Sequence, residues 1–263
     1  MRAEEADSAP NQIPGGLGGR AHPSQTAPPS NVQKLLLEGA IHACEQIPWG
    51  SNYTFCATLK LAELQALAVY KPQRGERPLW DFPQGTLYLR EYAAYVASQL
   101  LGWSFIPMTV VREGPHGVGS MQIYVEAEPL GSIRELDECV DLDLARIAAF
   151  DLITNNADRK GGHVLRDANE KLWGIDHGLC FNVDPKVRTV LQRFCGEPLP
   201  VAVLGELEAF AREPARNQRA RDLLGELLAP EEVEAFERRL ERLVAEGAYP
   251  RLDHYRSVPW PPF

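Results

Sequence analysis

The order of apolar and polar positions divides the chain into a strand-rich first part and a helical second part. Tyr53 to Lys60 reads Tyr-Thr-Phe-Cys-Ala-Thr-Leu-Lys, a β-rich run that predicts a strand, and Gln65 to Lys71 predicts a second after a tight connection. Lys71 precedes Pro72, which favours an extended backbone at the strand end. The period then changes. Leu89, Ala93, Val96 and Leu100 fall on one face of a helix capped by Thr86 and closed by Gly102 after Leu101. Pro107 to Arg112 and Ser120 to Glu126 predict two strands around the turn Gly114-Pro-His-Gly117. Asp141 to Thr154 is apolar enough for a buried helix. His163 to Arg166 and Leu172 to Ile175 form a hairpin, and Pro230 opens a helix with Val233, Phe236, Leu240 and Leu243 at helical spacing. Before all of these, a short helix is expected over Asn31 to Cys44. Met1 to Val32, rich in Pro, Gly, Ser and Ala without an apolar period, is expected to be a disordered tail.

The expected class is therefore α+β and bilobal: a small β-rich lobe with one key helix over 33–128, and a larger helical lobe over 129–263. The division falls near Glu126 to Gly131, with no internal repeat. Composition narrows the partners. A formal net charge of -9 repels nucleic acid and anionic membranes, so neither is an expected partner. No apolar run reaches about 18 residues and no apolar signal core opens the chain. The five cysteines show no C-x-x-C spacing and most read as reduced core residues, which points to the cytoplasm; a monomer is expected.

The candidate chemistry lies on these elements. Two aspartates flank the predicted hairpin, Asp158 in Asn156-Ala-Asp-Arg159 and Asp176 in Ile175-Asp-His-Gly178. Phosphoryl transfer needs such a pair, one carboxylate to receive the acceptor's proton and one to hold the metal on the phosphates. Arg159 can pair with a carboxylate or phosphate. His163 can contact metal or phosphate, and equally can hydrogen-bond its own loop. As a neutral metal ligand it would be released on protonation near its ordinary pKa of about 6.5, with activity falling below roughly pH 6. Lys71 at a strand end and Glu91 on the next helix fit an ion pair that aligns the phosphates, or a solvated lysine and a surface glutamate. Gly50, Ser51 and Asn52 fit a phosphate-cradling loop or an ordinary turn. The strand from Ser120 through Gln122 to Glu126 can offer adenine backbone groups near Tyr124 and Val125.

At these strings the chain resembles the atypical kinases of the phosphoinositide 3-/4-kinase-related group, most of all type II phosphatidylinositol 4-kinases and a bacterial branch of uncharacterised proteins. The matching segments are Gly50-Ser-Asn-Tyr53, Val69-Tyr-Lys-Pro72, Arg90-Glu-Tyr-Ala-Ala-Tyr95, Gly119 to Glu126, Asn156-Ala-Asp-Arg159 and Ile175-Asp-His-Gly178. The resemblance implies a protein-kinase-like fold, ATP with Mg2+, Lys71 on phosphates with Glu91 as its partner, Val125 at the adenine, Asp158 as catalytic Asp and Asp176 as metal ligand. The family usually has Asn where this chain has His163, five residues after Asp158. Its type II lipid kinases carry cysteines in the loop before the glutamate helix, and Gln73 to Gly85 has none. A protein or small-molecule hydroxyl is the expected acceptor. A nucleotide-binding pseudokinase, an AMP-transferring relative and a phosphoinositide kinase remain as alternatives.

Overall fold

The computed structural model describes residues 29–48, 52–130, 142–253 and 256–262. Most of the expected tail, the Gly50 and Ser51 positions and the segment 131–141 lie outside the described residues. Helix α1 spans Pro29–Glu38 and stops at Gly39. The Gly39 N–H bonds the Leu35 carbonyl at 2.9 Å, and a Cβ at Gly39 would come within 2.4 Å of that oxygen. The Arg112 guanidinium takes up the carbonyls of Leu36 and Gly39, each at 2.9 Å, as a helix end requires. The helix expected over Asn31 to Cys44 is thus cut short, because Ala40–Ile47 forms strand β1. The expected tail also yields its last four residues, 29–32, to α1.

A five-stranded antiparallel sheet follows, in the order β1-β2-β3-β5-β4, with β2 Thr54–Leu61, β3 Leu64–Pro72, β4 Thr109–Gly114 and β5 Gly117–Ile123. Its two faces follow from strand parity. Ala57, Ala68, Tyr70, Met121 and Val110 point one way and bury against Leu35 and Leu36 of α1. On the opposite face, register aligns Cys56 with Val69, Gln122 and Thr109, and Lys71 with Ser120 and Val111. Cys56, Val69, Lys71 and Gln122 stay only half-buried there.

Helix α2 (Leu87–Leu100) crosses from this sheet to the helical part. Its Ala93, Ala94 and Ala97 join Phe105, Phe150, Ile153, Leu207 and Phe236 in the larger core. That core is built on α3 (Leu142–Thr154), α4 (Val201–Arg212), α5 (Pro214–Gly225) and α6 (Pro230–Glu246). A second sheet, β6-β7-β8 (Ala127–Pro129, Val164–Asp167, Leu172–Gly174), takes one strand from before α3 and a hairpin from after it. The strand expected to run to Glu126 ends instead at Ile123, and β6 resumes after three irregular residues. The chain's last described residues return to the α3–β7 loop, where the Pro262 carbonyl accepts the Gly161 N–H at 2.9 Å. The expected α+β class is the observed one. Among the described residues no helix is long and apolar enough to cross a membrane.

Candidate active site

Lys71 projects from the half-covered sheet face at the end of β3. Its Nζ bonds Glu91 Oε1 of α2, and reaches Asp176 Oδ1 at 2.8 Å. The second Glu91 oxygen accepts the His177 N–H at 2.9 Å, so one carboxylate ties β3 to the chain beyond β8. The three charges shape one another. Burial opposes both ionised partners, but Lys71 and His163 hold Asp176 well below the usual carboxylate range, and Asp176 and Glu91 hold Lys71 above its own. Burial raises the Glu91 carboxyl, with Lys71 opposing. Protein atoms crowd Asp176, yet 46% of its side-chain surface remains open to solvent. Its backbone is left-handed, at φ 59°.

Asp158 stands across the cleft in the loop after α3. Its N–H bonds the Asn156 side chain at 3.0 Å, and Asn156 in turn donates to Asp151 at 2.9 Å. Burial raises the Asp158 carboxyl, while Lys160, 3.1 Å from Oδ2, pulls it down. Burial pushes the His163 imidazole down to about 4, so it is neutral at ordinary pH. That replaces the ordinary value near 6.5 assumed from sequence. Its Nδ1 lies 3.0 Å from the Asp158 carbonyl and its Nε2 3.2 Å from Asp176 Oδ2. The neutral ring carries one proton between these two oxygens, so in either tautomer one ring lone pair faces an oxygen, and with the proton on Nδ1 it is the Asp176 side that a cation reconciles.

This donor set fits a magnesium ion of the kind held by one or two carboxylates together with phosphate oxygens and water. Asp176 offers a hard oxygen donor, and His163 stands beside it. No group of three or more His, Cys, Asp or Glu side chains forms a metal cluster among the described residues, and such a site does not need one.

The remaining expected residues are placed differently. Arg159 does not reach the cleft. It is fully buried with Asp151, bonded through Nε and Nη2 at 2.9 Å, and the position beside Asp158 that suggested phosphate contact turns it inward. Asn52 accepts the Arg77 N–H at 2.9 Å and so braces the β3–α2 connection. Gln122 lies on the cleft face with its amide bonded to Thr109 Oγ1 at 2.8 Å. The Tyr124 N–H is taken by the Leu67 carbonyl, and Val125 packs with Leu165 and Trp173.

Sequence reasoning missed Lys160, Asp151 and the pair Cys56–Val69. Asp151 had a legible signal, a lone acid inside the apolar run Ala148 to Ile153. Cys56 and Val69 share the Lys71 face, which parity would have given once the register was known.

No protein-family model matches the chain. Solved structures similar to it include the proinflammatory kinase CtkA of Helicobacter pylori, 12% identical, covering 78% of this chain and 93% of that one, with a TM-score of 0.47. Another is Rio2 kinase from Chaetomium thermophilum in an ADP/Mg2+-phosphoaspartate complex, 15% identical, covering 82% and 74%, with a TM-score of 0.41. Both scores are too low for anything further to be read from the superpositions. A curated relative, Protein Rv2133c of Mycobacterium tuberculosis (strain ATCC 25618 / H37Rv), is 36% identical over 264 residues, covering 87% of this chain and 94% of that protein. On that extent of shared sequence, the chain belongs to the same family as Protein Rv2133c.

Proposed function

We propose that the protein is an ATP-dependent phosphotransferase of the kinase type, moving the γ-phosphoryl group to a hydroxyl on a protein or small molecule. The observation that carries this reading is the meeting of Lys71, Glu91 and Asp176 from three separate segments at one point. Lys71, held by Glu91, takes the α- and β-phosphates. Asp176, with His163 beside it, holds Mg2+, which neutralises charge on the phosphates when bound. Cys56 and Val69 form an apolar roof for the base, with Val125 at its edge. Asp158 orients the acceptor hydroxyl and receives its proton as the oxygen bonds to γ-phosphorus and ADP departs. Its raised pKa suits a proton acceptor. Lys160 stands where it can stabilise charge near the transferring group.

The test is a pair of transfer assays with ATP labelled at the γ or the α phosphate. Label from γ alone supports the reading. Label from α identifies AMP transfer, and neither, with Mg-ATP binding kept, identifies a pseudokinase. Lipid vesicles containing phosphatidylinositol, offered beside protein and small-molecule acceptors, separate the lipid-kinase alternative.

A further inference from the structure

We propose that Arg159 is a positioning residue whose guanidinium sets the backbone of Asp176, and with it the direction of the cleft's metal-facing carboxylate. An ion pair with Asp151 would occupy only one side of the fork. The other donors converge on the chain around Asp176. Nη1 donates to the Ile175 carbonyl at 2.9 Å and to the His163 carbonyl at 3.2 Å. Nη2 lies 2.7 Å from His177 Nε2. The residues before and after Asp176 are thus gripped by one side chain, and Glu91 fixes the His177 N–H from the opposite side.

Asp176 needs such a grip. A residue with a Cβ disfavours the left-handed region, and a lone non-glycine persists there when its surroundings over-determine it. In that conformation the carboxylate meets both Lys71 and His163. The same guanidinium also holds the His163 backbone, so both members of the facing pair hang from one buried residue. Asp151 and Asn156 complete the support, because the Asp151 carboxylate that seats Arg159 also seats the side chain bonding the Asp158 N–H. A lysine at 159 keeps the charge for Asp151 but lacks the planar fork needed to serve 163, 175 and 177 together.

The catalytic consequence rests on the phosphotransfer reading; the positioning of Asp176 stands apart from it. The experiment compares crystal structures of the parent, Arg159→Lys and His177→Phe, and measures for each the Mg2+ concentration that half-restores thermal stabilisation by ATP. The expected result is that Asp176 leaves its left-handed backbone and its contact with Lys71 in Arg159→Lys. Half-saturation for Mg2+ rises roughly tenfold or more, while nucleotide binding in EDTA is retained. An unchanged Asp176 backbone and Lys71 contact in Arg159→Lys overturns the proposal. If Arg159→Lys does not fold, His177→Phe, which removes one of the two grips, must displace Asp176 or the proposal falls. A parent protein that binds no nucleotide sinks the phosphotransfer reading instead, and the crystal comparison alone then decides the positioning.

Discussion

Arg90 and Glu91 are consecutive on α2, yet they anchor in opposite directions. Arg90, 1% exposed, donates to Glu232 of α6 at 2.6 Å and to the Cys180 carbonyl at 2.8 Å. Glu91 turns toward the sheet and meets Lys71. Glu232 also accepts the Ala229 N–H at 3.1 Å at the start of α6, so one carboxylate caps that helix and fastens it to α2. The helix that carries the cleft's glutamate is therefore bolted to the larger core at the neighbouring residue.

Breaking that bolt will cost stability before it costs chemistry. Arg90→Leu leaves Glu232 buried without its partner, and the expected loss is about 3–5 kcal/mol in chemical denaturation. Glu91→Gln keeps shape and removes charge at the cleft, so its main effect falls on nucleotide binding. If the two variants show equal stability, the division of labour between these neighbours is wrong.

Lys71→Met will weaken ATP-dependent thermal stabilisation and lower transfer by on the order of 10²–10³ in kcat. Asp158→Ala will keep much of the binding and lose transfer, whereas Asp176→Ala will lose Mg2+-dependent stabilisation by ATP. Parental transfer in both aspartate variants would place the site elsewhere.

Acid will act on His163 over a defined window. In the unfolded chain the imidazole titrates near its ordinary value of about 6.5; in the fold, burial lowers it to about 4. Between those values the unfolded chain binds the proton and the folded chain does not. Stability is therefore fully present above about pH 6.5 and is lost as pH falls toward 4. Asp176, held low, adds a loss of the same sign at still lower pH. His163→Asn should flatten the fall in melting temperature between these limits. An unchanged slope would remove His163 from the account. Ligand release by protonation likewise moves down toward pH 4 from the pH 6 expected from the sequence.

Helix α1 is a structural part of the sheet. Leu36 is wholly buried beneath the β-strands, and Leu36→Ala should destabilise by about 2–5 kcal/mol. A loss within about 0.5 kcal/mol would mean that α1 is dispensable.

What the sequence made legible was order. Lys71 at a strand end, Glu91 in the next helix, and Asp158 and Asp176 around a hairpin sit on elements whose periodicity is strong, and those elements form close to the expected bounds. What it concealed was direction. Arg159 carries the right charge in the right string, but residue type does not reveal that the side chain turns inward to an acid eight positions earlier. The helix expected through Cys44 failed because its apolar spacing continues across Gly39, where a close carbonyl and strand pairing override the pattern. Burial displaced His163 from its ordinary pKa, and burial of a loop residue is a property of packing that no local window contains.

The bond between Lys71 and Asp176 has a thermodynamic consequence. Each of these groups is already neutralised by the other, so neither is free for an incoming charge. A phosphate that draws Lys71 away releases Asp176 for a cation, and a cation that claims Asp176 releases Lys71 for phosphate. The two ligands of the proposed reaction are thereby coupled, and by reciprocity each must raise the other's affinity by the same factor. Lys71→Met breaks that exchange, so titrations of Mg2+ with and without nucleotide should converge in the variant while they diverge in the parent.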